Sequence, residues 1–166
     1  MNSESSRIAD QLRRAFTGEA WHGPSLRELL DGVTAEQACA RPLATGHNIW
    51  ELVLHIDAYL QASFEAAEGG TMPKVYGTEK DWPAVVDSGG IAWHRAKRTL
   101  FEDAERLQRA IGEFADARLG DTVPGREYDF YRLFHGNVQH ALYHGGQMGQ
   151  LKKEATSEQV APAGLA

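Results

Sequence analysis

Residues 135–153, HGNVQHALYHGGQMGQLKK, read as a helix whose inward stripe is broken by polar side chains. The face runs Leu133, Asn137, His140, His144, Gln147, Leu151: apolar at both ends, polar in the middle. A stripe that only filled a core would not carry four polar groups, because each buried donor or acceptor without a partner costs free energy. His140 and His144 stand four residues apart, a rotation of about 40° on an α-helix. Both imidazoles therefore project from one face and can close on one ion. A metal site is the leading reading, and it needs a third ligand from elsewhere in the chain.

The remaining periodicity is helical too. Ile8, Leu12, Ala15 and Phe16 form one face of an opening helix that starts after the Ser/Glu-rich residues 3–6 and breaks at Gly18. A turn over Trp21–Ser25 leads to a short helical piece, LRELL, that stops at Asp31 and Gly32. Thr34–Gln37 heads another, ended by the Arg41–Pro42 step. A second long helix starts near His47 or Asn48, with Asn48 as its cap, and keeps Ile49, Leu52, Val53, Ile56, Leu60 and Phe64 on one stripe. Gly69 and Gly70 end it.

Residues 69–90 form the one long connection, bracketed by glycine pairs, and such a segment is usually functional or mobile. Its Tyr76 and Trp82 read equally as a lid or as a plug packed down on the body. A third helix over about 88–114 turns Trp93, Leu100, Ala104, Leu107, Ile111 and Phe114 inward. The fourth is capped by Asp129 and continues to about Ala155, followed by a small, polar tail (156–166) expected to fray. Four long helices and no strand define an all-α four-helix bundle, one domain over 1–166 with its core at about 7–153.

Composition excludes several classes. A net charge of -6 argues against nucleic acid as a partner, since phosphate binding calls for a basic surface. The single cysteine, Cys39, rules out an internal disulfide framework, fits a reducing cytoplasm, and reads as structural. No apolar run reaches ~18 residues and the first residues carry no apolar h-region, so neither a membrane span nor a signal peptide is expected.

His55 supplies the third ligand. It lies mid-way along the second long helix between Leu54 and Ile56, on a flank shared with Asn48, Glu51 and Tyr59. Three histidines from two helices, with a fourth position open, match a catalytic type of site rather than a closed structural one. Imidazole suits Zn, Ni, Cu and Fe, with zinc or nickel the first choices. The bland alternative is that seven histidines in 166 residues make one His-x-x-x-His pair unexceptional, and that His55 is a satisfied core residue. Around the triad, Glu51, Asn137 and Gln147 are candidates to orient the rings, a solvated Glu51 being the competing reading. His47 reads as a cap-adjacent surface residue within reach of the metal mouth. His22 and His94 read as surface residues, and His135 points about 140° away from His140.

NIWELVLHI (48–56) and QHALYHGGQMGQL (139–151), after RIADQLRRAF and WHGPSLRELL, resemble the DinB/YfiT superfamily over about residues 7–153. The resemblance implies an up-down-down-up four-helix bundle, commonly a homodimer. It also implies a divalent metal held by His55, His140 and His144, with thiol-dependent S-transferase, isomerase or hydrolase chemistry on a small molecule. A low-molecular-weight thiol is the expected cosubstrate. The non-enzymatic alternative is a metal-bearing stress-response or ligand-binding module. Rival chemistries fail on specifics: no Glu follows His140, as a zinc-protease pattern needs, and no glycine-rich phosphate loop occurs.

Overall fold

The computed structural model describes residues 3–43 and 45–158. Six α-helices carry these residues: α1 (Glu4–Thr17), α2 (Leu26–Leu30), α3 (Ala35–Cys39), α4 (Ile49–Ala67), α5 (Gly90–Glu113) and α6 (Phe130–Glu158). A short 3-10 turn covers Asp116–Arg118, and among the described residues the one β-type pairing is an isolated bridge between Thr122 and Asp129. The chain is all-α, as the periodicity requires.

Local chemistry sets the helix starts. Ser3 accepts from the Ser6 N–H at the head of α1, and Gly18, at φ 124°, lets the chain leave it. Ser25 with Glu28, Thr34 with Gln37, and Asn48 with Glu51 form reciprocal capping boxes at α2, α3 and α4. Asp129 caps α6 by accepting from the Arg132 N–H at 2.8 Å. The helix runs on through Glu158, so Glu154–Glu158 are helical rather than frayed. The rest of the expected tail, 159–166, lies outside the described residues.

Each long helix buries most of the stripe its sequence promised, with Phe64 of α4 only half-buried and Gln147 of α6 exposed. α4 packs against α5 and α6, and α1 against the same two, so the four enclose one cluster of buried side chains. Trp93 of α5 is central to it: its ring lies 5.0 Å from that of Trp50, and its indole N–H donates to the Val33 carbonyl at 2.7 Å. That bond ties α5 to the segment between α2 and α3. Among the described residues no helix is long and apolar enough to cross a membrane.

One buried acid sits at the α4–α5 contact. Asp57 accepts from the Gln61 amide at 2.8 Å, while Asp103 on α5 pairs with Arg106 at 2.7 Å. Burial, with the facing Asp103 charge adding to it, pushes the Asp57 carboxyl up to about 7. An acid whose folded-state value is raised stabilises the fold below its unfolded value of about 3.9 and loses that contribution as pH rises through its folded value. Stability should therefore fall between about pH 4 and about pH 7, by at most about 4 kcal/mol. Asp57→Asn, which keeps the acceptor for Gln61, should flatten that slope. Thermal melts at pH 5 and pH 8 check it: the variant should melt above the native protein at pH 8, and an equal or lower melting point there contradicts the account.

Candidate metal centre

His55 lies on the inner face of α4, and His140 and His144 lie one turn apart on α6. The packing of α4 on α6 brings the three rings together. His140 Nε2 stands 3.0 Å from His55 Nε2 and 3.1 Å from His144 Nε2, and the three ligand atoms lie within 4.8 Å of one another. His55 and His144 are each 5% exposed, so bulk water does not disperse the cluster's electrostatics.

The outer nitrogens decide what the inner ones offer. His55 Nδ1 lies 2.5 Å from the Asp81 backbone oxygen, an atom that only accepts, so Nδ1 carries the proton and Nε2 presents a lone pair. His144 Nδ1 donates to Gln147 Oε1 at 2.7 Å with the same consequence. Two lone pairs thus face His140 Nε2, which has at most one proton to share between them. A cation at the centre satisfies all three. Nitrogens 2.0–2.1 Å from a tetrahedral zinc stand about 3.3 Å apart, close to the spacing found here. The residues fit a divalent ion by donor type, convergence and tautomer.

Burial also keeps the rings neutral. It pulls His140 down to about 3, and the neighbouring His144 and His55 add to the effect. Burial lowers His55 and His144 as well, against the opposing pull of the Asp81 carbonyl on the first and of Gln147 on the second. Neutral imidazole is the form that ligates.

Of the residues expected to orient the rings, Gln147 does so and two others do not. Glu51 faces away from His55: it caps α4, ion-pairs with Arg41, and lies 3.2 Å from His47 Nδ1. The N-cap role takes precedence because Glu51 is the third residue of its helix, where its carboxylate reaches the Asn48 N–H. Asn137 is bonded to Ser63 at 2.9 Å and to the Leu133 carbonyl, a link between α6 and α4 rather than a partner of the histidines. His22 and His94 are exposed as expected, and the His135 ring packs at a tilt against that of Tyr131.

The residue the sequence reading missed is Asp81. Besides holding His55 through its carbonyl, its carboxylate accepts from the Tyr59 hydroxyl at 3.1 Å and the Gly77 N–H at 2.9 Å. Asp81 thereby fastens the 69–89 connection over the site. Trp82 next to it is the plug, not a free lid: its ring stacks on His55 at 3.8 Å and on His47 at 3.4 Å from the other side. Tyr76, at 78% exposed, takes no part. The only advance signal for Asp81 was its place beside Trp82 in a long glycine-bracketed segment. Asp81→Ala keeps the carbonyl that holds His55 but removes the carboxylate that fastens the connection through Tyr59 and Gly77, and should lower metal affinity about 10–100-fold while a full equivalent still binds at saturation. Competition against a chelator of known affinity measures this; an unchanged affinity removes the Asp81 carboxylate, though not its carbonyl, from the site.

A helical bundle with three convergent neutral imidazoles on two facing helices is a metal-binding type of fold. The chain belongs to the DinB superfamily, whose sequence model matches residues 20–148 and so covers both histidine-bearing helices up to the second position after Gly146. No curated protein and no solved structure was found to match it.

Proposed function

We propose that the protein is a metal-dependent enzyme that transfers the sulfur of a small thiol to an electrophilic carbon, using one divalent ion, zinc or nickel, at His55, His140 and His144. The observation that carries this reading is the meeting of three Nε2 atoms, two of them with their protons fixed on the far side of the ring. A divalent ion bound there supplies the positive charge that keeps a thiol deprotonated near neutral pH. The three imidazoles add no negative charge, so the full charge of the ion is offered to the incoming group. In the transfer the sulfur–carbon bond forms, the leaving group departs with its electron pair, and the thiol proton passes to solvent.

Hydrolysis is the second reading, and the carboxylates speak against it. A bound divalent ion can itself bring the pKa of water toward about 7, but the further acceleration that a positioned base supplies is missing here. Asp81 is occupied by Tyr59, Gly77 and His55, and Glu51 by its cap and Arg41, so neither is free at the histidines' inner nitrogens. A non-catalytic metal-bearing module is the third. Metal-loaded protein offered a small thiol with an alkylating dye, beside ester and amide substrates, separates them. Thiol-dependent adduct formation that chelation abolishes is expected, whereas ester turnover without adduct would favour hydrolysis and no turnover of either the passive module.

The same reading takes the chain as one domain with an up-down-down-up helix course, acting on a small molecule as a homodimer in the cytoplasm, where a lone thiol such as Cys39 stays reduced. Light scattering at micromolar concentration should give twice the chain mass of 18.3 kDa.

A further inference from the structure

A cavity of about 270 Å³ opens beside His140, lined among others by Tyr59, Met72, Tyr128, Arg132 and Gly136. That is just under the ~300 Å³ at which small-molecule pockets begin, so a compact ligand is implied. Its floor follows one face of α6, because residues 132, 136 and 140 are spaced by four.

Two features of this cavity have no structural demand behind them. The first is Gly136. It lies inside a long helix, does not adopt positive φ, and a Cβ built on it would meet nothing within 4 Å. A mid-helix glycine costs about 1 kcal/mol against alanine, and neither backbone nor packing requires one here. What its small size does is keep the channel open between His140 and Arg132. The second is Arg132. In a protein of net charge -6, arginines such as Arg14, Arg106 and Arg109 are matched to acids on their own helices. Arg132 pairs with no carboxylate among the described residues; its guanidinium lies over the Tyr128 ring at 5.6 Å. Asp129, the nearest acid in sequence, accepts the Arg132 backbone N–H instead. No acidic side chain lines the cavity at all.

We propose that this cavity is the substrate channel and that Arg132 anchors a carboxylate at its outer end, so that the ligand is a compact molecule with a carboxylate several bonds from the group that reaches the histidines. The fork of a guanidinium matches a carboxylate in two parallel hydrogen bonds. Eight residues of helix separate the Cα atoms of Arg132 and His140 by about 12 Å, which sets the ligand's length at several bonds rather than one or two. The walls between, Met72 and Tyr128 with Leu133, favour an apolar chain in that interval.

This proposal rests on the metal reading, and the test separates the two. Cobalt-substituted protein is titrated with mercaptohexanoate and with mercaptohexanol, following the visible cobalt absorption and measuring cobalt content in parallel. The native protein should bind the acid about tenfold more tightly than the alcohol, the expected size of one charge-assisted anchor. Arg132→Ala should abolish that preference with the alcohol's affinity and the cobalt content unchanged, and Arg132→Lys should restore part of it. Gly136→Leu, whose Cβ meets nothing within 4 Å, puts a side chain into the channel and should weaken both ligands. Full cobalt with equal affinity for acid and alcohol, a preference that survives Arg132→Ala, or unaltered binding in Gly136→Leu each overturns the channel while leaving the metal reading intact. A native protein that takes up no cobalt overturns both.

Discussion

Replacing His140 by Ala should take the protein from about one equivalent of bound divalent metal to about a tenth or less, and His55→Ala or His144→Ala should do the same. On the proposed function each imidazole is one of three donors on a single ion, and two donors would not hold it against the buffer. Combining two replacements should add little, since the three act as a unit rather than as independent contributors. His22→Ala and His94→Ala serve as controls, because both residues are exposed and neither belongs to the cluster. The variants should remain helical: the bundle's core is formed by apolar stripes from four long helices and does not depend on the ion as a zinc finger does. Chelating the native protein should nonetheless lower its melting temperature. With metal at about 100 times its dissociation constant the bound ion contributes about 2.7 kcal/mol. At 2–4 °C per kcal/mol for a chain of this size, that is about 5–10 °C. Elemental analysis and melting curves give both numbers. A full equivalent retained in His55→Ala, with loss in His22→Ala, would place the ion elsewhere.

Helix positions were legible because they are set locally. Asn48 and Glu51 form their capping box from residues three apart, and the stripe Ile49, Leu52, Val53, Ile56, Leu60 needs only the 3.6 period to be recognised. The histidine triad was legible for a related reason: two of its members share one helix face, and the third interrupts an apolar run where an imidazole has no business unless it is held. What the sequence hid was everything that depends on a loop. Asp81 reaches His55 across 26 residues, and Trp82 stacks between two histidines eight residues apart on different sides of it. No periodicity encodes such contacts, because the connection between α4 and α5 follows no repeating backbone geometry. Glu51, a candidate to orient His55, is engaged elsewhere for the opposite reason. Its spacing to His55 permitted a contact, but its spacing to Asn48 and the approach of Arg41 offered a better one. Spacing lists the partners a side chain can reach; competition among them decides, and that depends on the three-dimensional neighbours.

The site and the core meet in one further expected result. Trp93→Ala should be among the most destabilising single changes in the protein. The ring is 1% exposed, packs on Trp50 at the first turn of α4, and leaves the Val33 carbonyl without its donor when removed. Truncating a buried tryptophan costs about 3–5 kcal/mol, or roughly 6–20 °C in melting temperature here. Trp50 and His55 share α4, so this variant loosens the α4–α5 packing that holds in place the helix carrying one of the three imidazoles. An ion held as proposed would bind only where α4 and α6 are packed, so it should draw the weakened chain back toward the folded state. At about 1,000 times its dissociation constant the ion contributes about 4.1 kcal/mol, enough to offset most of the loss. Metal-loaded Trp93→Ala should therefore melt close to the native apoprotein, and metal-free Trp93→Ala far below it. Adding His140→Ala to Trp93→Ala should remove the rescue without lowering the metal-free melting temperature further by more than a few degrees. Melting curves of the single and double variants with and without metal decide the matter. If the ion raised the melting temperature of the double variant as much as that of Trp93→Ala, it would be binding somewhere other than His55, His140 and His144.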